Sequence, residues 1–239
     1  MDEEYKTLRN ASLDVIISIA NSFNLSEYKS KNNGHILNER YLHHLFSRKF
    51  VSKYEYHKDK NSSSLQAHFH PEWPTFKKQT GISFSKYKME EGICKPNESG
   101  KSAYIDFALG DYRSPSIGIE FLLRQGWAGK EFISDAIKLM DNRNPFSTSI
   151  LFYLIIRNKG LSCGKCIERL KNSMNDGIKR ADTILIDKSQ LCAEKRELIF
   201  IITELGDNDR RHWKYEKTTG KFNGTDLFPQ DFFLDSVTR

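Results

Sequence analysis

At 239 residues the chain is long enough for one large domain with a sizeable buried core. Its 38% hydrophobic content includes no run of about 18 apolar residues, which excludes a transmembrane helix. The net charge of +6 is concentrated between Lys29 and Lys60, where eight Lys or Arg oppose Glu39, Glu55 and Asp59, with His35, His43, His44 and His57 interspersed. Such a region suits a polyanion, nucleic acid being the usual one, and a solvated basic face is the plainer alternative.

The first residues, MDEEYKTLRN, open acidic and lack the basic-then-apolar pattern of a signal peptide, so a cytoplasmic location is expected. Between Glu3 and Phe23, Leu8, Leu13, Val15, Ile16, Ile19 and Ala20 recur at helical spacing and predict a first helix. A polar loop to Gly34 follows, then a second helix from His35 to Val51 with Ile36, Leu37, Tyr41, Leu42, Leu45, Phe46 and Phe50 on its apolar face. Glu39 stands four residues before His43 at the edge of that face, where it suits either a metal site or the surface. Arg40, Arg48, Lys49 and Lys53 are candidate nucleic-acid contacts. Tyr54 to Ser64 reads as a charged loop. In LQAHFHPEWPTF, Leu65, Ala67 and Phe69 alternate as in a strand, and Pro71 and Pro74 end it or hold it at an edge. Its other face carries His68, His70 and Glu72, three residues able to bind a metal or simply to face water. Ile82 to Tyr87 suggests another strand, and Met89 to Lys101 a hairpin or loop.

The most informative stretch is Ala103 to Gly126, two apolar strands joined by a turn rich in Gly, Asp, Ser and Pro. Each strand carries one acid in an apolar run, Asp106 in YIDFAL and Glu120 in IGIEFLL. A buried carboxylate costs several kcal/mol unless it is paired or binds a metal, so two on neighbouring strands ask for a shared cation. Two oxygen ligands at one point suit a hard ion such as Mg²⁺ or Mn²⁺. Local pairing of Asp106 with Lys101 or Arg113, and of Glu120 with Arg124, is the structural alternative. GKEFISDAIKLMDN then reads as a helix, and TSILFYLIIR as a central strand buried on both faces. Cys163 to Ala181 predicts a helix, opening on a CxxC that lacks two further zinc ligands and so suits ordinary thiols. Arg196 to Leu205 predicts a second buried strand. After Asp207 the chain turns basic and aromatic; Arg210, Arg211 and Lys214 join the nucleic-acid candidates, on a tail expected to be irregular. Helices between buried strands indicate an α/β fold with a mixed central sheet flanked by helices. The expected organisation is an N-terminal helix and loop (1–35), an α/β core (36–205) and a C-terminal extension (206–239), all within one compact domain.

The order helix with Glu, strand, strand with Asp, strand with Glu, helix, apolar strand resembles the core of the PD-(D/E)XK nuclease superfamily, the restriction-endonuclease-like fold. The resemblance covers roughly Ile36 to Arg157. It implies that Asp106 and Glu120 are the two motif acids, that Glu39 is the helix glutamate completing the metal site, and that the cofactor is Mg²⁺ or Mn²⁺. The chain departs from the motif two residues after Glu120, where Leu122 replaces the lysine. Arg124, on the same strand face, and Lys138, on the following helix, are the candidate replacement cations, with Gln125 a weaker third. The expected activity is metal-dependent hydrolysis of DNA phosphodiester bonds, with a homodimer as one way to cut both strands. The alternative is an inactive module of the same fold that binds nucleic acid or a protein. No phosphate-binding GxxxxGK[ST] loop or GxSxG nucleophile turn is present.

Overall fold

The computed structural model describes residues 3–24, 38–57, 68–75, 85–157, 163–189, 196–206 and 210–218. In chain order the elements are helices α1 (Glu3–Ser22) and α2 (Glu39–His57), then strands β1 (Phe69–Pro74), β2 (Lys86–Glu90), β3 (Ile93–Pro96), β4 (Lys101–Ser102), β5 (Tyr104–Asp111) and β6 (Ser114–Gln125). They continue with α3 (Gly129–Met140), β7 (Thr148–Ile156), α4 (Cys163–Ser189), β8 (Glu197–Leu205) and β9 (Arg210–Thr218). Six strands form one mixed sheet in the order β1-β5-β6-β7-β8-β9, parallel at β6-β7-β8 and antiparallel elsewhere. β3-β2-β4 form a separate small antiparallel sheet. Among the described residues no helix is long and apolar enough to cross a membrane.

Every residue of β7 is buried, as its unbroken apolar run requires, because helices cover both faces of the sheet. α1 and α2 pack with Phe107, Ile119, Phe121, Phe152 and Ile201 on one face. α3 and α4 pack with Leu122, Tyr153, Phe200 and Ile202 on the other. An α/β fold with a helix-flanked mixed sheet is therefore present, as composition and periodicity implied.

Three expectations about elements are corrected. α2 continues to His57, through the stretch read as a charged loop. Leu42, Phe46, Phe50 and Tyr54 keep one buried i, i+4 row, with the Phe50 and Tyr54 rings stacked at 5.8 Å, while the charges occupy the other faces. α4 likewise runs past Ala181 to Ser189. The tail is not irregular over 210–218: β9 pairs with β8 from Arg210↔Leu205 to Thr218↔Glu197, satisfying backbone groups that β8 would otherwise expose. Leu65, Ala67, the region 25–37 and the first half of the strand expected at Ile82–Tyr87 lie outside the described residues, and its end falls in β2.

One local irregularity shapes the molecule. The β1-β5 ladder pairs Pro71 with Phe107 and Trp73 with Ile105 but skips Glu72 and Asp106. Glu72 has φ of 50°, left-handed backbone that a non-glycine residue seldom adopts. At the same rung β5 parts from β6, whose pairing ends at Phe107↔Ile119. Strand faces exchange across this break: Phe107 and Leu109 pack under α1 and α2, whereas Ile105, of the same parity, packs under α3 and α4. Asp106 sits at the crossover between the two layers.

The end of α3 is held by a buried cation. Arg196 donates through Nη1 to the carbonyls of Leu139 and Asp141 (3.1 Å) and through Nη2 to that of Asn144 (2.6 Å). Burial pulls its guanidinium down to about 10. The Leu139 and Asp141 carbonyls also accept from Ser149 Oγ and the Asn144 N–H, so Arg196 adds a charged donor to each and ties them to the Asn144 carbonyl. Arg196→Met is expected to lower unfolding free energy by about 3 kcal/mol, the loss of charged hydrogen bonds to buried acceptors, measured by urea denaturation.

Candidate metal centre at the parting of two strands

Asp106 lies where β5 leaves β6, so its carboxylate replaces a rung of the ladder: the Phe121 N–H donates to Asp106 Oδ2 at 2.7 Å. From α2, His43 Nε2 approaches the same oxygen at 3.3 Å. Glu39, one helical turn before His43, completes a cluster in which one donor atom from each of Glu39, His43 and Asp106 lies within 4.8 Å of the others. The i, i+4 spacing places Glu39 and His43 on one side of α2. His43 also rests against the rings of Phe107 and Phe121, at 5.4 and 5.6 Å, which fixes its position.

On the far side of Asp106 stands Glu120, only 2% exposed. Lys138, projecting from α3, brings its ammonium into contact with Glu120 Oε1 and to 2.8 Å from Asp135 Oδ1, and donates to the Tyr104 carbonyl at 3.2 Å. Burial would lower the Lys138 ammonium, but Asp135, Glu120 and Asp106 hold it well above the ordinary lysine value. One ammonium does not neutralise three acids. Burial, reinforced by mutual repulsion, accordingly pushes the Glu120 and Asp135 carboxyls up despite Lys138. Burial would also raise Asp106, yet its hydrogen bond and charge interaction with His43, then Lys138 and the Phe121 N–H, hold it below its usual value.

Arg124 is engaged elsewhere. It donates through Nη1 to Glu39 Oε2 at 2.9 Å and through Nε to Glu131, bracing Glu39 from outside rather than meeting Glu120 or Asp106. Glu39 is raised chiefly by burial, against the pull of Arg124. Leu122 is buried in the α3/α4 core. Asp111 caps a turn through the Arg113 N–H at 2.8 Å.

The donor set fits a divalent cation. Carboxylates outnumber cations, and His43 Nε2 and Glu120 Oε1 are both sealed from solvent, each against one partner of opposite charge, Asp106 and Lys138. Oxygen donors with one imidazole suit Mn²⁺ or another first-row ion better than Mg²⁺.

Of the sequence candidates, Glu39 and Asp106 share the three-donor cluster with His43. Glu120 is not part of that group and pairs with Lys138 within electrostatic range of Asp106, and Arg124 stands at the margin. His68 instead meets Glu4 of α1 at 3.1 Å, and His70 meets the Gly110 carbonyl at 2.9 Å. Only Glu72 of that strand comes within electrostatic range of His43. Lys49 donates to Ser18 Oγ at 3.2 Å and Lys53 pairs with Asp14 at 3.2 Å, so both tie α2 to α1. Arg40 and Arg48 are exposed. Arg210, Arg211 and Lys214 lie on β9, and their side chains, like those of Cys163 and Cys166 at the start of α4, are outside the described set. His43 is the residue sequence reasoning passed over as a site member. Its i, i+4 relation to Glu39 was the available signal. No family model, curated protein or solved structure matches the chain.

The His43–Asp106 pair ties metal-free stability to pH. Burial would lower His43, but Asp106 outweighs it and raises the imidazole above 6.5. Its contribution is complete below 6.5 and is lost as pH rises through the raised folded value. Asp106 contributes above 3.8 and loses its share as pH falls through its depressed folded value. In chelator, His43→Gln should therefore lower the Tm most between these two limits and much less at alkaline pH, as read from thermal scans across pH.

Proposed function

We propose that this chain is a metal-dependent nuclease that hydrolyses phosphodiester bonds of DNA on a restriction-endonuclease-like core. The observation that carries this reading is the seating of the Lys138 ammonium against Glu120, beside Asp106. It supplies from a helix the cation that the motif would place at position 122. Leu122 is 2% exposed and packs in the α3/α4 core, where an ammonium would lack water. Lys138 reaches the same acid from solid helical support instead. Its buried stem and double anchoring on Asp135 and Glu120 hold it in place.

Asp106, Glu120, Glu39 and His43 are the residues that would hold Mn²⁺ or Mg²⁺. When bound, such an ion would polarise a phosphate oxygen and acidify a water. Lys138, held protonated by its three acids, acts as a hydrogen-bond donor and a fixed positive charge toward the charge that develops on phosphate. Arg124 positions Glu39 and stays protonated, so it carries no proton in the reaction. A second copy of the chain is one way to cut both strands of a duplex.

Purified protein with supercoiled plasmid and single-stranded oligonucleotide provides the test. Cleavage should require a divalent ion, run faster with Mn²⁺ than Mg²⁺, and vanish in Asp106→Ala and Glu120→Ala. Lys138→Ala should lower kcat by about 10²- to 10³-fold, with circular dichroism confirming the fold. Cleavage that survives the Asp106→Ala/Glu120→Ala double substitution removes this site. Salt-sensitive binding with no cleavage under any divalent ion establishes the inactive binding module instead.

A further inference from the structure

Resting on that reading of the site, we infer that its substrate is an unpaired polynucleotide strand. The phosphates of that strand follow an exposed ridge on α2, and a base stacks on Tyr104. The cations around the site divide by whether another side chain already holds them. Lys49 and Lys53 are held by Ser18 and Asp14, Arg124 by Glu39 and Glu131, and Lys138 by Glu120 and Asp135. Arg40, His44 and Arg48 are exposed, and among the described residues no acid pairs with them. They stand at i, i+4, i+8 and so form one row, successive members about 6 Å apart along the helix. That row adjoins the line of Glu39 and His43, so its Arg40 end starts beside the metal cluster.

Tyr104 is 60% exposed, a large aromatic with no packing role in either core. Its own carbonyl receives Lys138 at 3.2 Å, and it precedes Asp106 by two residues. A strand reaching the cluster would therefore meet an exposed ring two residues from Asp106 and the exposed cations of α2 next to Glu39. A cationic track combined with an exposed ring is the arrangement that grips single strands, whose bases are free to stack. Bases in a duplex are already stacked on their neighbours and offer no face to Tyr104.

The test is fluorescence anisotropy in chelator, where nothing is cut, with a labelled single-stranded DNA oligonucleotide and its blunt duplex over a range of salt. The single strand should bind more tightly. Tyr104→Ala should weaken its binding about tenfold while Tyr104→Phe retains it. Arg40→Ala/Arg48→Ala should reduce the slope of log K against log salt by about 1.4, since each phosphate left without its cation removes about 0.7. Lys49→Ala/Lys53→Ala should leave that slope unchanged. Equal or tighter duplex binding, an unchanged slope in the arginine variant, or full affinity in Tyr104→Ala overturns the inference. The two readings fail separately. Protein that binds by this ridge yet cuts nothing defeats the nuclease proposal alone. Protein that cuts while the arginine and tyrosine variants bind normally defeats only the substrate path.

Discussion

The constraint on which the site depends is the burial of too many carboxylates around one ammonium. Glu120 and Asp135 are both taken out of water, and Lys138 alone stands between them, with Asp106 close by. Desolvation penalises each charge, and only close opposite charge offsets it. Removing Lys138 would leave buried anions without compensation. Adding a divalent cation would relieve the same excess.

The protein reaches this arrangement by breaking its own sheet at a single rung. Were β5 regular, Asp106 would project toward one helical layer only. The unpaired Glu72–Asp106 rung, with Glu72 in left-handed backbone, lets β5 switch faces and part from β6. Asp106 then meets His43 from the layer of α2, and the charge of Lys138 reaches it from the layer of α3. Both layers are anchored away from the site. Arg196 holds the end of α3, and on the other face Arg9 and Thr148 converge on Glu197 to bind α1 to the sheet.

Much of the fold was legible in the chain. The helix periods of α1 and α3, the buried runs of β7 and β8, and the turn between β5 and β6 all follow from local pattern and composition. Misreadings came where charge hid periodicity. In α2 the charged residues beyond Val51 concealed the row that ends at Tyr54, and in β9 a run of basic residues concealed a strand whose role is to cover the edge of β8. For the site, Asp106 and Glu120 stood out because acids in apolar strands are costly. His43 did not, because a histidine in a basic helix has many ordinary explanations. The fate of each cation was also illegible: Arg124 and Lys138 were equal candidates until their partners were known.

By itself, then, the sequence determined the α/β class, the central strands and the presence of two acids that water could not serve, since periodicity and desolvation act on near neighbours in the chain. Tertiary structure alone decided that Lys138 rather than Arg124 stands against Glu120, that His43 joins Glu39 and Asp106, and that Lys49 and Lys53 belong to the helix pair. Each of these outcomes depends on how far a long side chain reaches and which carboxylate it meets first. That competition is settled only when distant segments pack against one another.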